Sequence, residues 1–215
     1  DMYANAETFP ALPAALARPA AVGPARRRTI GPCALQAREL DRFNGLLADL
    51  GRREPLGPDQ IVTAARDLYD PRLGDTQPAC IAVRLAHVAP LDRFVVDEGW
   101  APDGQALAAA RAVLAYLGRP DDLIPDWVPQ VGRLDDAIVV DVAWTRIGDE
   151  LEGYRDYCRL RLLESRLRGE APGAFRFDRT DWIEARRAET GLREHQRRVM
   201  VSSYLPASAP RFRVH

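Results

Sequence analysis

Four carboxylates form the densest set of chemically versatile side chains in the 215-residue sequence: Asp122, Asp126, Asp135 and Asp136, with Asp121 and Asp141 beside them. If the chain between them folds back, several would converge and hold a hard cation such as Mg²⁺ or Ca²⁺ through oxygen. Such an ion can bind a phosphate or activate water, so one reading is a divalent-metal-dependent enzyme acting on a phosphorylated substrate. A plainer chemistry accounts for the same residues. Asp135 or Asp136, next to Leu134 at a helix start, can accept first-turn N–H groups. Asp122 and Asp126 can close turns around Pro120, Pro125 and Pro129. The structural roles are the preferred reading.

Little else has the spacing of a reactive site. His87 lies in an apolar stretch and reads as a core histidine. His195 stands among Arg193, Arg197 and Arg198 and reads as surface, and His215 is the last residue. No two histidines have i,i+4 metal spacing. Cys80 and Cys158 fall on apolar faces and are expected in the core, while Cys33 follows Pro32 with no histidine near it in sequence. Three scattered cysteines make neither a disulfide framework nor a zinc knuckle. Gly-rich phosphate loops, G-x-S-x-G and H-E-x-x-H are absent, and no organic cofactor is expected. Trp127 and Arg133 are the candidate interaction residues, since a half-exposed indole there would mark a recognition surface. For Trp127, as for Trp100, Trp144 and Trp182, packing is the preferred role.

The elements that must position these residues read as helices. Composition is ordinary for a globular chain, 47% apolar and 28% charged, which excludes collagen-like and wholly disordered classes. No apolar run approaches the roughly 18 residues of a membrane span. Thirty basic residues, all of them Arg, nearly cancel 31 acids, so nucleic acid is not an expected partner. Residues 119–150 hold three Arg against eight acids, and residues 151–215 hold fourteen against nine. Pairing of the two stretches within the fold is the simplest account of that asymmetry. Asp1 ahead of Met2 reads as a tag remnant, and the residues after it lack the features of a secretory signal. A cytoplasmic location with reduced thiols is therefore expected.

Residues 1–33 are Ala/Pro-rich and predict an extended arm, because prolines at 10, 13, 19, 24 and 32 forbid a long helix. Apolar spacing predicts helices from Ala34 to Leu50, from Pro58 to Leu68, from Ala101 to Leu117 and from Leu134 to Arg168. The inner face of the long one is expected at Ile138, Val142, Ile147, Leu151, Tyr154, Cys158 and Leu162. A last helix follows Asp178, and residues 206–215 form an irregular tail. Residues 78–97 are nearly all apolar, and helix and strand both remain open there.

Between the two best helices lies Arg119-Pro-Asp-Asp-Leu-Ile-Pro-Asp-Trp-Val-Pro-Gln-Val-Gly-Arg-Leu-Asp-Asp. Its prolines break helix while Leu123, Ile124, Val128 and Val131 seek burial, so an apolar loop must fold under or between helices. Order and spacing here resemble the signature of the YkvA-like domain family, of the form P-x-D-L-I-P-D-φ-φ-P-x-φ-G-x-φ-D-D with φ apolar. The resemblance covers about residues 105–150. It implies a small helical bacterial protein of unknown function and no particular chemistry. Many such relatives continue into strongly apolar helices, whereas Asp141, Arg146, Asp149 and Glu150 interrupt that stretch here.

The expected fold is all-α: an irregular bundle of about six helices, with a Pro-rich apolar loop at 119–133 and an N-terminal arm. Residues 34–205 are read as one helical domain with a YkvA-like core at about 105–168. The expected function is a non-enzymatic scaffold or protein-interaction module whose partner is another protein or a second copy.

Overall fold

A computed structural model describes residues 9–19, 27–119, 122–171 and 173–203. Arm residues 1–8, Pro120, Asp121 and the tail 206–215 with His215 lie outside the described residues. The fold is predominantly α-helical, as expected. Among the described residues there are seven α-helices, two 3-10 turns and one hairpin of two-residue strands. The chain divides into two compact units, Asp1–Arg155 and Asp156–His215.

The first unit opens with a 3-10 turn at Ala14–Ala17, followed by strands β1 (Thr29–Ile30) and β2 (Cys33–Ala34). These pair antiparallel, Thr29 with Ala34 and Ile30 with Cys33. Helix α1 (Ala37–Leu50) buries Phe43, Leu47 and Leu50, one face of a 3.6-residue period, and ends on Gly51 at φ 113°. Helix α2 (Pro58–Leu68) starts with proline, whose missing N–H costs nothing in the first turn, and packs on the 3-10 turn and β1.

Residues 78–97 prove helical, as α3 (Ala79–Leu85) and α4 (Val88–Val96). Pro90 accounts for the break between them. It has no N–H for the Ala86 carbonyl and its ring would strike that carbonyl, so one continuous helix cannot form. Helix α5 (Gly104–Leu117) is capped by Asp103, whose Oδ1 accepts from Gln105 N at 2.9 Å and Ala106 N at 3.3 Å. It buries Ala106, Ala109, Ala110 and Val113 and is in contact with α4.

Helix α6 runs unbroken from Leu134 to Leu167. Its first turns are buried nearly all round, Leu134, Ala137, Ile138, Val139, Val140 and Ala143 being 0–2% exposed. After Leu151 the buried positions step by three, through Tyr154, Tyr157 and Leu160. That drift corrects the expected inner face, because Cys158 and Leu162 turn outward and are exposed. Within the second unit, Tyr157 donates its hydroxyl to the Phe177 carbonyl at 2.7 Å. Helix α7 (Arg179–Ser203) is capped by Asp178, which accepts from Thr180 N at 2.7 Å. No helix among the described residues is long and apolar enough to cross a membrane.

Candidate functional site

The loop between α5 and α6 is built by burying alternate pieces of an apolar, proline-broken segment. Leu123, Ile124, Val128 and Val131 are at most 5% exposed. Proline prevents regular backbone pairing here, so each buried N–H and C=O needs a local partner. A turn closes from Val128 N to the Pro125 carbonyl at 2.9 Å, and a second from Gly132 N to the Val128 carbonyl at 2.9 Å. Gly132 is required by close approach. A Cβ there would lie 2.6 Å from the Asp126 carbonyl oxygen, 2.7 Å from that of Pro125 and 2.8 Å from that of Val128. No side chain fits inside that ring of carbonyls.

The paired aspartates at the start of α6 have different tasks. Asp135 is 1% exposed, and its Oδ2 accepts from the Tyr116 hydroxyl at 2.7 Å and from Ile124 N at 3.2 Å. It thus ties α6 to both α5 and the loop. Asp136 is equally buried and accepts from Arg133 Nε at 2.9 Å. Among the described residues neither carboxylate accepts a first-turn N–H. In place of the expected N-cap, Asp135 bonds to residues 19 and 11 positions away and Asp136 bonds to Arg133, three residues back. The first-turn position still places both charges at the favourable end of the helix dipole.

Burial dominates the electrostatics. It pushes the Asp135 carboxyl up to about 7; bonds from Tyr116 and Ile124 oppose the rise, and the charges of Asp136 and Asp122 add to it. Burial likewise raises Asp136 to about 6 against the pull of Arg133. The Tyr116 hydroxyl is held far above its ordinary range by burial and by the Asp135 charge, so it remains a donor. Asp135 Oδ1 and Asp136 Oδ1 are buried without a hydrogen-bond partner among the described residues.

The four candidate carboxylates do not share one point. Asp126 is exposed near the loop tip, 3.5 Å from Arg133 Nε, while Asp122 is half-buried and acts on Asp135 and Tyr116 through its charge. Asp141 is engaged elsewhere, with Arg84 at 2.5 Å. Among the described residues no group of three or more His, Cys, Asp or Glu side chains is set to hold a metal ion. His87 is buried and takes a hydrogen bond from Arg155 at Nδ1, while His195 is exposed, both as expected.

Trp127 departs from its expected packing role and is 65% exposed. The turn closed between Pro125 and Val128 puts residues 126 and 127 at its tip, so the indole projects while its neighbours are buried. Trp100 is fully buried; Trp144 and Trp182 are half-buried. Gln130 is the residue that the motif reading missed. It sits at φ 63°, donates to the Asp70 carbonyl at 2.8 Å and to that of Gly74, and accepts from Asp70 N at 3.0 Å. An amide isolated among apolar residues in a proline-rich loop was its available signal.

Two grooves flank the loop. One, of about 390 Å³, lies between the β1–β2 hairpin, α2 and the Val128–Pro129 edge, with Tyr69 at its rim. The other, of about 380 Å³, runs beneath Trp127 and is lined on its polar side by Asp75, Asp126, Gln130 and Arg133. The arrangement can hold a rigid projecting surface.

Residues 106–140 match the model of a family described as "Protein of unknown function (DUF1232)". That segment lies within the stretch resembling the YkvA-like signature and carries Tyr116, Trp127, Gly132 and the Asp135–Asp136 pair. No curated protein and no solved structure matches the chain.

Proposed function

We propose that the chain is a protein-interaction module and that loop 122–133 is its recognition surface, with Trp127 and Arg133 making contact. The observation that carries the reading is a 65% exposed indole on a loop held at one end by the buried bond from Ile124 N to Asp135 and at the other by the bonds of the Gln130 side chain to the Asp70 backbone. Large exposed aromatics on a fixed backbone bind at low entropic cost, because the loop is ordered before the partner arrives. Tryptophan and arginine are also the residues on which interface energy concentrates. The adjoining grooves offer an apolar recess on one side of the Val128–Pro129 ridge and a charged one on the other.

The test is affinity capture from the native cell with parent, Trp127→Ala and Arg133→Ala baits. A partner held by the parent, lost with Trp127→Ala and confirmed with purified components supports the reading. Identical captured sets for all three baits would overturn it.

A second reading, a divalent-metal-dependent enzyme acting on a phosphorylated substrate through Asp122, Asp126, Asp135 and Asp136, draws on one observation. Two buried carboxylate oxygens there, Oδ1 of Asp135 and of Asp136, lack hydrogen-bond partners among the described residues. Its test is the metal dependence of thermal stability.

A further inference from the structure

Residues 9–18 are held by their own body in the manner of a bound peptide. The Phe9 ring sits in a cage, 4.7 Å from the Trp144 ring, 5.3 Å from that of His87 and 4.8 Å beneath the Arg84 guanidinium. Three side chains then read the arm through its carbonyls. Arg84 Nη1 donates to the Pro10 carbonyl at 2.8 Å, Arg52 Nη2 to that of Leu16 at 2.8 Å, and Gln60 Nε2 to that of Arg18 at 2.5 Å. Ala15 and Leu16, at the second anchor, are buried.

The matching is chemical as well as steric. A segment with prolines at 10, 13 and 19 is short of N–H donors and cannot join a sheet, but keeps every carbonyl. The groove answers with donors, from Arg84, Arg52 and Gln60. Arg84 is itself 3% exposed and is fixed by Asp141, at 2.9 Å from Nε and 2.5 Å from Nη2. Its fork is therefore set before the arm arrives, as in sites that recognise proline-rich peptides, here at the stretch from Phe9 to Pro13 that precedes the 3-10 turn at Ala14–Ala17.

We propose that this groove is a peptide-binding site, that the arm is its exchangeable resident ligand, and that its occupant in trans is the arm of a second copy. A second copy offers the same segment from Phe9 to Arg18 and therefore every contact described, with no new surface required. Exchange of an identical element is an inexpensive route to a dimer. A tethered arm has an effective concentration of order millimolar, so docking within one chain dominates in dilute solution. Exchange emerges when the arm or its own groove is weakened.

The test uses full-length chains. Phe9→Ala leaves a good groove with a poor arm; Trp144→Ala leaves a good arm with a poor groove. Each variant alone should sediment as a monomer, and an equimolar mixture should give a one-to-one heterodimer. A fluorescein-labelled peptide of residues 7–19 should bind the Phe9→Ala chain at least about tenfold more tightly than the parent, whose own arm competes. Equal or undetectable peptide binding to both overturns the site, and this readout stands even if Trp144→Ala fails to fold. Peptide binding without heterodimer formation overturns the second copy as occupant and assigns the groove to a segment of another protein.

Discussion

Tyr116, in the last turn of α5, gives its hydroxyl to Asp135 Oδ2, in the first turn of α6, at 2.7 Å, and the same oxygen receives Ile124 N from the loop between them. One carboxylate oxygen thus closes three elements around a point from which water is excluded. Asp135→Ala would leave a buried hydroxyl and a buried amide without an acceptor, each costing about 1–3 kcal/mol, so a loss of about 2–6 kcal/mol is expected. Asp135→Asn keeps an acceptor oxygen and should recover a large part of it. Urea unfolding of both variants decides the matter. An alanine variant within 0.5 kcal/mol of the parent, or an asparagine variant no better than alanine, would contradict this role.

Acid carboxylates usually stabilise a fold once ionised; this pair does the opposite. In the folded chain Asp135 and Asp136 hold their protons to about 7 and about 6, against an ordinary value of 3.8. Between those limits the folded state binds more protons than the unfolded one, so stability falls as pH rises. The contribution is whole below about pH 4 and is lost on passing through pH 6 and 7. The urea midpoint should therefore decline from pH 5 to pH 8. Asp135→Asn, neutral throughout, should flatten that decline and match or exceed the parent at pH 8. A midpoint that rises over the same interval would refute the assignment.

Much of this was legible from local chemistry. Asp103 and Gly118 bound α5, and Pro58 and Pro78 mark the starts of α2 and α3, because caps and prolines act on their own turn. The loop's buried residues also follow from their types. Trp127 does not, since its exposure depends on which bond closes the turn, and hydrophobicity alone argues for burial. Cys158 was misplaced because small shifts in the buried stripe accumulate along 34 residues of α6. The task of Asp135 was hidden because its partners lie 11 and 19 residues away, at separations that helix-cap rules do not reach.

Gly132 supplies a prediction independent of charge. Three backbone carbonyl oxygens lie within 2.8 Å of where its Cβ would stand, and backbone cannot swing aside as a flexible side chain can. Gly132→Ala should force the Pro125–Val128 turn open and cost at least about 2 kcal/mol. Because Trp127 rides on that turn, its fluorescence should shift, and binding through the loop should be lost with it. A Gly132→Ala protein of parental stability would show that the loop accommodates a methyl group and is less rigid than described.

Divalent cations separate the two functional readings. A module that binds protein through Trp127 has no use for Mg²⁺ or Ca²⁺. Its melting temperature should not move with millimolar amounts of either. A cation held by the Asp135–Asp136 pair would stabilise the native state by an amount that grows with the logarithm of its concentration. That gain would vanish in Asp135→Asn and Asp136→Asn, since a neutral amide lacks the charge a hard cation needs. The separation of the carboxylates favours the first outcome: Asp126 is drawn to Arg133, and Asp135 is turned toward Tyr116 and Ile124. A concentration-dependent rise of several degrees in the parent, abolished in both asparagine variants, would replace the interaction reading with the metal-dependent one.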